Sequence, residues 1–332
     1  MLKIIAAKKG TYFLILRETA LVLGWGILIL FFLTLLVGFF GGWFLARRIK
    51  LCLLKILSKD KILIFAPHPD DEALACGGLI AYLSQRKIPK KIVFLTVGDG
   101  NPYSFWEKRK IKYAPQEFIK IGIRRQKEAL EALKKLGVKQ EEVIFLGYPD
   151  TKLEKLFKTP KKTIGNRGGL DFVPYEFCLD FRKEAKGKNL LDSLKKIIVD
   201  FRPTKVFLPH RKESNSDHRA VFLFLNEVLK TLKFKPQVFQ YLIHFRWKFW
   251  RVYPGKPEEE KIVYPPKFLV FGENWYSFWL SREELEKKKK ALLAYKSQIK
   301  IPTLKSLFRG FLARNEIFEE FILPKSGGSF WR

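Results

Sequence analysis

Cysteine is scarce in this chain, which has Cys52, Cys76 and Cys178 as its three thiols among 332 residues. Three scattered cysteines form neither a disulfide framework nor a thiolate metal cluster. A glycine-rich nucleotide loop is also missing, because Gly77-Gly78 lacks the GxGxxG spacing of a dinucleotide-binding turn. Internal repeats of about 20–50 residues are absent as well. The sequence therefore excludes disulfide-stapled scaffolds and argues against dinucleotide-binding enzymes and solenoids.

Charge is missing from residues 19–46. A transmembrane helix needs ~20 apolar residues, so this stretch is long enough to span a membrane with some tilt. A signal peptide is the alternative, but its apolar region is only ~7–15 residues long. We predict a transmembrane helix over residues 19–46, a short basic segment before it (1–18) and a juxtamembrane linker after it (47–60). Lys and Arg are slightly more numerous on the following side, which favours a cytoplasmic catalytic domain.

Acidic residues are outnumbered, with 33 Asp and Glu against 63 Lys and Arg and a formal charge of +30. The electrostatic field of so many positive charges attracts polyanions. With a membrane anchor, an anionic lipid surface is the expected partner, and each nearby Lys or Arg contributes ~1 kcal/mol to that attraction. Most of the cations are expected to solvate helix faces instead. No basic helix at nucleic-acid reading spacing and no RNA-binding aromatic motif is present, so no nucleic-acid partner is expected.

Residues 61–325 are predicted to form one α/β domain, with residues 240–325 as a C-terminal extension packing on it. Short apolar runs alternate with helical patterns, which is typical of a Rossmann-like, mostly parallel sheet with helices on both faces. The predicted strands are Lys61–Ala66, Ile92–Val97, Val143–Gly147 and Thr204–Leu208. The predicted helices are Ala73–Ser84, Ile119–Leu136, Leu190–Phe201, Ala220–Leu232, Leu285–Leu293 and Leu304–Phe321. In the extension, His244, Trp247 and Trp250 could stack on a sugar ring or simply pack.

The segment His68-Pro69-Asp70-Asp71-Glu72 offers metal ligands and a general base within a few residues. It follows a predicted strand and precedes a predicted helix, so it lies at the sheet edge where open α/β sheets bind ligands. His68 and Asp71 are spaced so that both side chains can bend toward one point, and zinc accepts imidazole nitrogen and carboxylate oxygen. Asp70 could take the proton of a water bound there. A helix cap by the two Asp is the alternative, but the cluster exceeds what a cap needs.

A second strand–turn–helix unit carries the other polar cluster. The strand predicted over Thr204–Leu208 runs into a loop that contains His210, Asp217 and His218. The chain has four His, of which two lie in this loop and a third, His68, lies in the first acidic turn. The matching strand-end position favours His218 as a third metal ligand, with a solvated loop His as the alternative.

These motifs resemble the PIG-L/LmbE superfamily of zinc-dependent N-deacetylases over roughly residues 60–320. The stretches that carry the resemblance are Ala66-Pro67-His68-Pro69-Asp70-Asp71-Glu72, Thr96-Val97-Gly98-Asp99-Gly100, the Arg125-Glu128-Ala132-Leu136-Gly137 spacing, Leu146-Gly147-Tyr148-Pro149-Asp150, Asn215-Ser216-Asp217-His218-Arg219, Lys290-Ala291-Leu292 and Tyr295-Lys296-Ser297-Gln298. The resemblance implies that His68, Asp71 and His218 are the zinc ligands. It also implies Asp70 as the general base and Asp217 as a residue that orients a neighbouring His.

Arg125 and Asp150 lie in segments that resemble the family's substrate-contacting positions, with a solvated Arg and a turn Asp as the alternatives. The chain departs from the family pattern at Asn215, where many members have a His that helps to stabilise the oxyanion. An Asn amide can donate a hydrogen bond to an oxyanion, but it cannot protonate a leaving amine. His210, earlier in the same loop, is the candidate for that proton transfer.

The expected function is that of a membrane-anchored zinc-dependent N-deacetylase, a hydrolase of linear amide C–N bonds. Its expected substrate is an N-acetylated amino sugar or glycolipid. Zinc lowers the pKa of a bound water toward ~7, and Asp70 accepts the proton so that hydroxide attacks the amide carbonyl. The same donors also suit Fe²⁺, Co²⁺ or Mn²⁺. A hydrolase of a non-sugar amide and a catalytically impaired, membrane-bound sugar-binding protein stay open as alternatives.

Overall fold

The computed structural model describes residues 19–38, 51–100, 114–247, 250–255, 261–266, 269–270 and 274–323. The chain divides into two compact units, Met1–Lys50 and Leu51–Arg332.

The described part of the first unit is one helix, α1 (Thr19–Gly38). Its 20 residues have a mean hydropathy of 2.7, which makes the helix long and apolar enough to cross a membrane. A signal sequence near an N-terminus passes the same test. The rest of the predicted span, residues 39–46, lies outside the described residues, as do residues 1–18 and 47–50.

The second unit is built around one large sheet flanked by helices. Its strands are β1 (Cys52–Leu53), β2 (Ile62–Ala66), β3 (Lys90–Phe94), β4 (Val143–Phe145), β5 (Lys205–Pro209), β6 (Gln237–Tyr241), β9 (Asn274–Trp279) and β10 (Asn315–Phe321), with a separate hairpin of β7 (Phe245–Trp247) and β8 (Trp250–Tyr253). Its helices are α2 (Asp71–Gln85), α3 (Pro115–Lys135), α4 (Leu153–Lys158), α5 (Gly187–Phe201), α6 (Ser216–Lys230), α7 (Arg282–Ala294), α8 (Lys296–Ile299) and α9 (Pro302–Gly310), with a 3₁₀ turn at Gln140–Glu142.

The sheet order is β1-β9-β10-β6-β5-β2-β3-β4. The pairs from β6 through β4 are all parallel, as is β1 with β9, whereas β10 runs antiparallel to both of its neighbours. Along β2, Ile62, Ile64 and Ala66 enter one apolar cluster, and Leu63 and Phe65 enter the other. Because side chains of a strand alternate between faces, the two clusters show that both faces of the sheet are covered by helices.

The α/β class predicted from the sequence is confirmed, and each of the four predicted strands lies within a few residues of an observed one. The prediction of a helix over Leu304–Phe321 is wrong in its second half. The helix ends at Gly310, and Asn315–Phe321 forms β10 between β9 and β6. The segment pairs with β9 on one side and with β6 on the other, and this long-range pairing outweighs the local helical pattern. The predicted extension 240–325 thus continues the sheet itself.

A buried ion pair fixes α2 against the C-terminal elements. The Lys288 ammonium lies 2.6 Å from Glu316 Oε1, and both side chains are almost fully buried. The two carboxylate oxygens of Glu316 also accept from the backbone N–H groups of Gly78 and Leu79, over 2.7 and 2.9 Å. A Cβ at Gly78 would lie 1.8 Å from a methyl of Leu280, so glycine is required for this close approach. The contact holds the helix that begins at the first acidic motif.

Candidate active site

The two polar loops meet because their strands are neighbours. β2 and β5 pair in parallel, with Ile62 beside Lys205 and Ile64 beside Phe207. β3 and β4 lie on one side of β2, and β5 and β6 lie on the other. The strand order therefore reverses between β2 and β5, which is the switch point where doubly wound sheets form a ligand crevice.

The first loop makes an abrupt turn at Asp70. Its φ of 122° lies in a region that L side chains rarely adopt, and such conformations cluster at functional sites. The helix α2 starts immediately afterwards, so Asp71 lies in its first turn. The backbone N–H of His68 donates to Asp71 Oδ2 over 2.9 Å. This bond folds the loop back and brings the two side chains together.

Three side chains from the two loops converge as the sequence predicts. His68 Nδ1 lies 3.1 Å from Asp71 Oδ2, and His218 Nε2 lies 3.2 Å from the same oxygen. One donor atom from each residue lies within 4.8 Å of the other two. The structure therefore places the three predicted ligands around a single point, although β5 and α6 supply one of them and β2 and α2 supply the others.

The second nitrogen of His68 faces two further carboxylates. Its Nε2 lies 3.1 Å from Asp150 Oδ1 and 3.4 Å from Asp217 Oδ2. Asp217 itself accepts from the backbone N–H of Thr151 and Leu153, over 2.6 and 3.1 Å. Among the described His rings, Asp217 contacts that of His68, which is the contact that the predicted orienting role would use. Asp150, which the sequence predicts to contact substrate, lies beside the same nitrogen of His68. Its carboxylate also accepts a hydrogen bond from the backbone N–H of Gly100 over 2.9 Å.

Asp70 is held by Arg125, which reaches it from α3. The guanidinium donates to Asp70 Oδ2 over 2.9 Å, to the Pro69 carbonyl, and to the Gly98 carbonyl over 3.3 Å. Gly98 has a φ of 67°, and a Cβ there would lie 2.3 Å from Arg125 Nη1, so glycine makes room for the guanidinium. Arg125 is buried and is therefore not the solvated helix residue that the sequence left open.

Asn215 and His210, the two residues of the second loop considered for oxyanion binding and proton transfer, lie in different places in the structure. Asn215 lines the cavity, and its side-chain oxygen accepts from Asp217 N and caps α6. His210 lies apart: its Nε2 is 2.5 Å from Glu319 Oε2, and its Nδ1 accepts from Lys212 N over 2.9 Å. With both ring nitrogens engaged and the side chain fully buried, His210 does not reach the cavity.

The sequence did not predict Glu213 as a partner of His218, and it offered His244 only as a residue that stacks on a sugar ring or packs. Glu213 Oε1 lies 3.6 Å from His218 Nδ1, and the carboxylate also accepts from the N–H groups of Ile243 and His244. The ring of His244 lines the cavity and packs edge-on against that of His218, with 5.0 Å between centroids. The signal was available in part, because His244 is one of only four His and follows β6. The side chains of Trp247 and Trp250 lie outside the described residues.

Burial and neighbouring charges shift the pKa values of the residues in the cluster. Burial opposes the charged imidazole of His68, but the nearby carboxylates, above all Asp150, hold its pKa well above the ordinary value. Burial likewise opposes His218, whereas Asp71 and Glu213 raise its pKa to about 9. Burial raises the pKa of Asp70 to about 7, although Arg125 opposes the rise. The set of carboxylates thus attracts positive charge to the point between the imidazoles.

These donors fit a divalent metal ion. Both ring nitrogens of His218 are buried and face carboxylates, Nε2 at 3.2 Å from Asp71 and Nδ1 at 3.6 Å from Glu213, but neither contact has the geometry of a hydrogen bond. Two imidazoles and one carboxylate are a donor set that zinc binds in catalytic sites, with a position left for water. The contacts of His68 Nε2 and His218 Nδ1 with carboxylates are of the kind that orient metal-binding His rings.

A cavity of about 400 Å³ opens over this cluster. Part of its lining is polar and carries the residues described above. Another part is apolar, because α9 contributes Leu304, Leu307 and Phe308 at helical spacing and α2 contributes Leu74. Gln298 from α8 also lines the cavity.

The family model for PIG-L, described as GlcNAc-PI de-N-acetylase, matches residues 63–229, half of this chain. The chain belongs to the PIG-L family. The match runs from β2 to the last turn of α6 and therefore includes both loops of the site. One curated relative of this PIG-L protein is the probable N-acetyl-alpha-D-glucosaminyl L-malate deacetylase 2 of Bacillus anthracis, 36% identical over 104 residues. That alignment covers 30% of this chain and only 39% of the relative.

Solved structures show the same fold. A pseudoaglycone deacetylase is 14% identical, with a TM-score of 0.52 over 81% of this chain and 100% of that chain. A deacetylase from the teicoplanin biosynthesis pathway is also 14% identical, with a TM-score of 0.52 over 80% of this chain and 100% of its own. At this identity the likeness concerns the fold alone.

Proposed function

We propose that this PIG-L protein is a metal-dependent hydrolase that removes the N-acetyl group from an amino sugar or glycoconjugate. The observation that carries the proposal is the convergence of His68, Asp71 and His218 beside Asp70 in the switch-point cavity. The name of the Bacillus relative, an N-acetyl-glucosaminyl malate deacetylase, supports an N-acetylated sugar as the substrate class. An acetamide on a sugar ring presents the linear amide bond that this chemistry cleaves.

A divalent metal, Zn²⁺ or Fe²⁺, would be held by His68, Asp71 and His218, and it would supply Lewis acidity to water and to the amide carbonyl. Asp70 takes the proton from the attacking water as general base, a task that suits a carboxyl group whose pKa lies at about 7. Arg125 fixes the orientation of that carboxylate. After attack, the protonated Asp70 is the group placed to return the proton to the leaving amine.

His244 is proposed as the donor that stabilises the oxyanion, in place of the imidazole that Asn215 replaces. Burial, reinforced by the nearby His218, lowers the pKa of His244 to about 4, so its ring is neutral at pH 7. A neutral imidazole still donates one N–H, and a neutral His can polarise a carbonyl in this way. The Asn215 amide lines the same cavity and is the second candidate donor. His210 has no part in this proposal, because it is bound to Glu319.

Attachment to a membrane through α1 is the second element of the proposal. The helix has the length and apolarity of a span. Lys and Arg residues are slightly more numerous after residue 46 than before residue 19, which favours a cytoplasmic catalytic domain by the positive-inside tendency. Anchoring would keep the enzyme at a membrane, which makes a lipid-linked N-acetylated sugar a candidate substrate. Carbonate extraction and protease protection of the full chain in membranes test anchoring and orientation separately.

The central experiment measures amine release from N-acetylated sugars, free and lipid-linked, by the full chain with and without added Zn²⁺. Asp70→Ala and His218→Ala should both abolish release, whereas Asp171→Ala, a control at an exposed Asp, should leave it unchanged. Metal-dependent release from a non-sugar amide alone would replace the sugar with another substrate class. Stoichiometric metal binding without release from any amide would instead support a sugar-binding protein.

A further inference from the structure

A second concave surface lies on the outer side of α3. It is a groove of about 480 Å³ between α3 and the junction of α7 with α8. Four cations line it: Lys120, Arg124 and Lys127 on one helix face, and Lys296 opposite. The first three are spaced by four and three residues, which puts their side chains on one stripe of α3. We call this surface the basic groove.

The cations of the basic groove are available for a ligand. None of the four has an ion-pair partner within 4.0 Å among the described residues. Two carboxylates, Glu128 and Glu131, also line the groove, which leaves four cations against two anions. Glu131 pairs with Lys135 over 2.9 Å, and Glu128 accepts from the Ser297 backbone and hydroxyl over 2.8 and 2.6 Å. The groove therefore carries an excess of positive charge.

Apolar side chains lie among these cations. Ile123 lines the groove with 37% of its surface exposed, and Ala294 lines it from α7. Exposed apolar residues among Lys and Arg are typical of surfaces that lie at a membrane interface, where the cations meet head groups and the apolar side chains meet acyl chains. A soluble phosphate ligand would gain nothing from the isoleucine.

The basic groove is next to the catalytic cavity. Arg124 lines the groove and its neighbour Arg125 lines the cavity, because successive residues of a helix point in different directions. Across the junction, Lys296 lines the groove and Gln298 lines the cavity. The bonds from Glu128 to Ser297 tie the two walls together. A ligand bound in the groove would therefore hold the catalytic cavity at a fixed orientation and distance from the ligand.

We propose that the basic groove binds the phosphate of anionic phospholipid head groups and so orients the cavity toward the membrane surface. Arg and Lys together are the common binders of phosphate oxygens, and each cation near an anionic surface strengthens binding about 5-fold, equivalent to ~1 kcal/mol. The inference rests on the proposed membrane association of the chain, but it does not depend on deacetylation or on the metal site.

The test is hydrogen exchange of the full chain in lipid nanodiscs, made either of phosphatidylcholine or of phosphatidylcholine and phosphatidylglycerol in equal parts. We expect slower exchange of peptides from α3 and from residues 294–300 in the anionic discs. High salt should remove the difference, because it screens exposed charges. Arg124→Glu/Lys127→Glu should lose the protection. Lys188→Glu/Lys195→Glu, which makes the same charge change on exposed positions of α5, should keep it.

Three outcomes would overturn the proposal. Equal exchange in neutral and anionic discs would show that the groove does not meet lipid. Loss of protection in the α5 control would assign the effect to the overall charge. Equal protection by inorganic phosphate in neutral discs would assign the groove to a soluble anion. Amine release is not part of the readout, so a failure of the proposed activity leaves this result interpretable.

Discussion

Arg125 and Asp70 form a buried contact in which the guanidinium donates to Oδ2 over 2.9 Å. The two residues come from α3 and from the loop after β2, and the same guanidinium also binds the carbonyls of Pro69 and Gly98. The contacts with Asp70 and Pro69 fix the loop that carries the proposed general base, and the contact with Gly98 ties Arg125 to the loop after β3. Arg125 is therefore a positioning residue for Asp70, in addition to the substrate contact that the sequence predicts for it.

Arg125→Met should lower kcat more than it raises KM. Misplacement of a catalytic group by about 1 Å can cost on the order of 100-fold in rate, and the methionine has no donor to hold Asp70. Steady-state kinetics on the best substrate of the panel measures the two constants. Lys134→Met, at an exposed position of the same helix, is the control and should change neither. A rise in KM with an unchanged kcat would show that Arg125 acts on the substrate alone.

His244→Gln and His244→Phe should lower kcat with little change in KM. Loss of one oxyanion donor costs on the order of 100-fold or more in kcat, and glutamine, which keeps an N–H donor, should lose less than phenylalanine. His210→Gln should lower the thermal midpoint instead and leave kcat unchanged, because its ring bonds to Glu319. Bound metal is measured in each variant, so that loss of the ion is not mistaken for loss of the donor. The reverse pattern would restore His210 to the reaction.

Removal of the metal should destabilise the protein as well as inactivate it. A ligand at about 100 times its Kd adds about 2.7 kcal/mol to the folded state, and without the metal only the protonated imidazoles would offset the buried carboxylates around His68. We expect a lower thermal midpoint after chelation, restored by Zn²⁺ or Fe²⁺. Metal analysis of His218→Ala should show loss of the ion. A midpoint that is indifferent to chelation in the metal-loaded protein would contradict the assigned donor set.

Glu319→Gln should destabilise the fold at neutral pH and matter less in acid. Burial opposes ionisation of Glu319, but His210 and Arg211 hold its pKa below the ordinary value. The carboxylate therefore stabilises the fold fully above its ordinary pKa of ~4.3, and this contribution is lost as the pH falls through the lower, folded-state pKa. Breaking such a buried pair costs about 3 kcal/mol at pH 7.

Thermal unfolding of wild type and Glu319→Gln at neutral and acidic pH measures this difference. Glu141→Gln, at an exposed position, is the control and should shift the midpoint at neither pH. A destabilisation by Glu319→Gln that is equally large at both pH values would mean that the loss comes from packing and not from the charge.

The sequence predicted that Asp71 and His218 would lie close together, and the structure brings them together. Each follows an apolar strand, and the carboxyl ends of parallel strands meet at one edge of a sheet. His210 had the same local context as His218, and nothing local distinguished them. Only the pairing of β10 with β6 brings Glu319 under His210. Because β10 was predicted as a helix, the contact between Glu319 and His210 could not be predicted.

The sequence by itself determined the local features: the apolar helix near the N-terminus, the alternation of strand and helix, and the two loops with their candidate ligands. These depend on patterns within some tens of residues, such as strand alternation and helix periodicity. The tertiary structure decided which of the polar residues share the cavity. His244 lines the cavity and His210 lies apart from it, because of where β6 and β10 lie in the sheet. Such contacts join residues far apart in the chain, and their free energy comes from burial and pairing that no single segment contains.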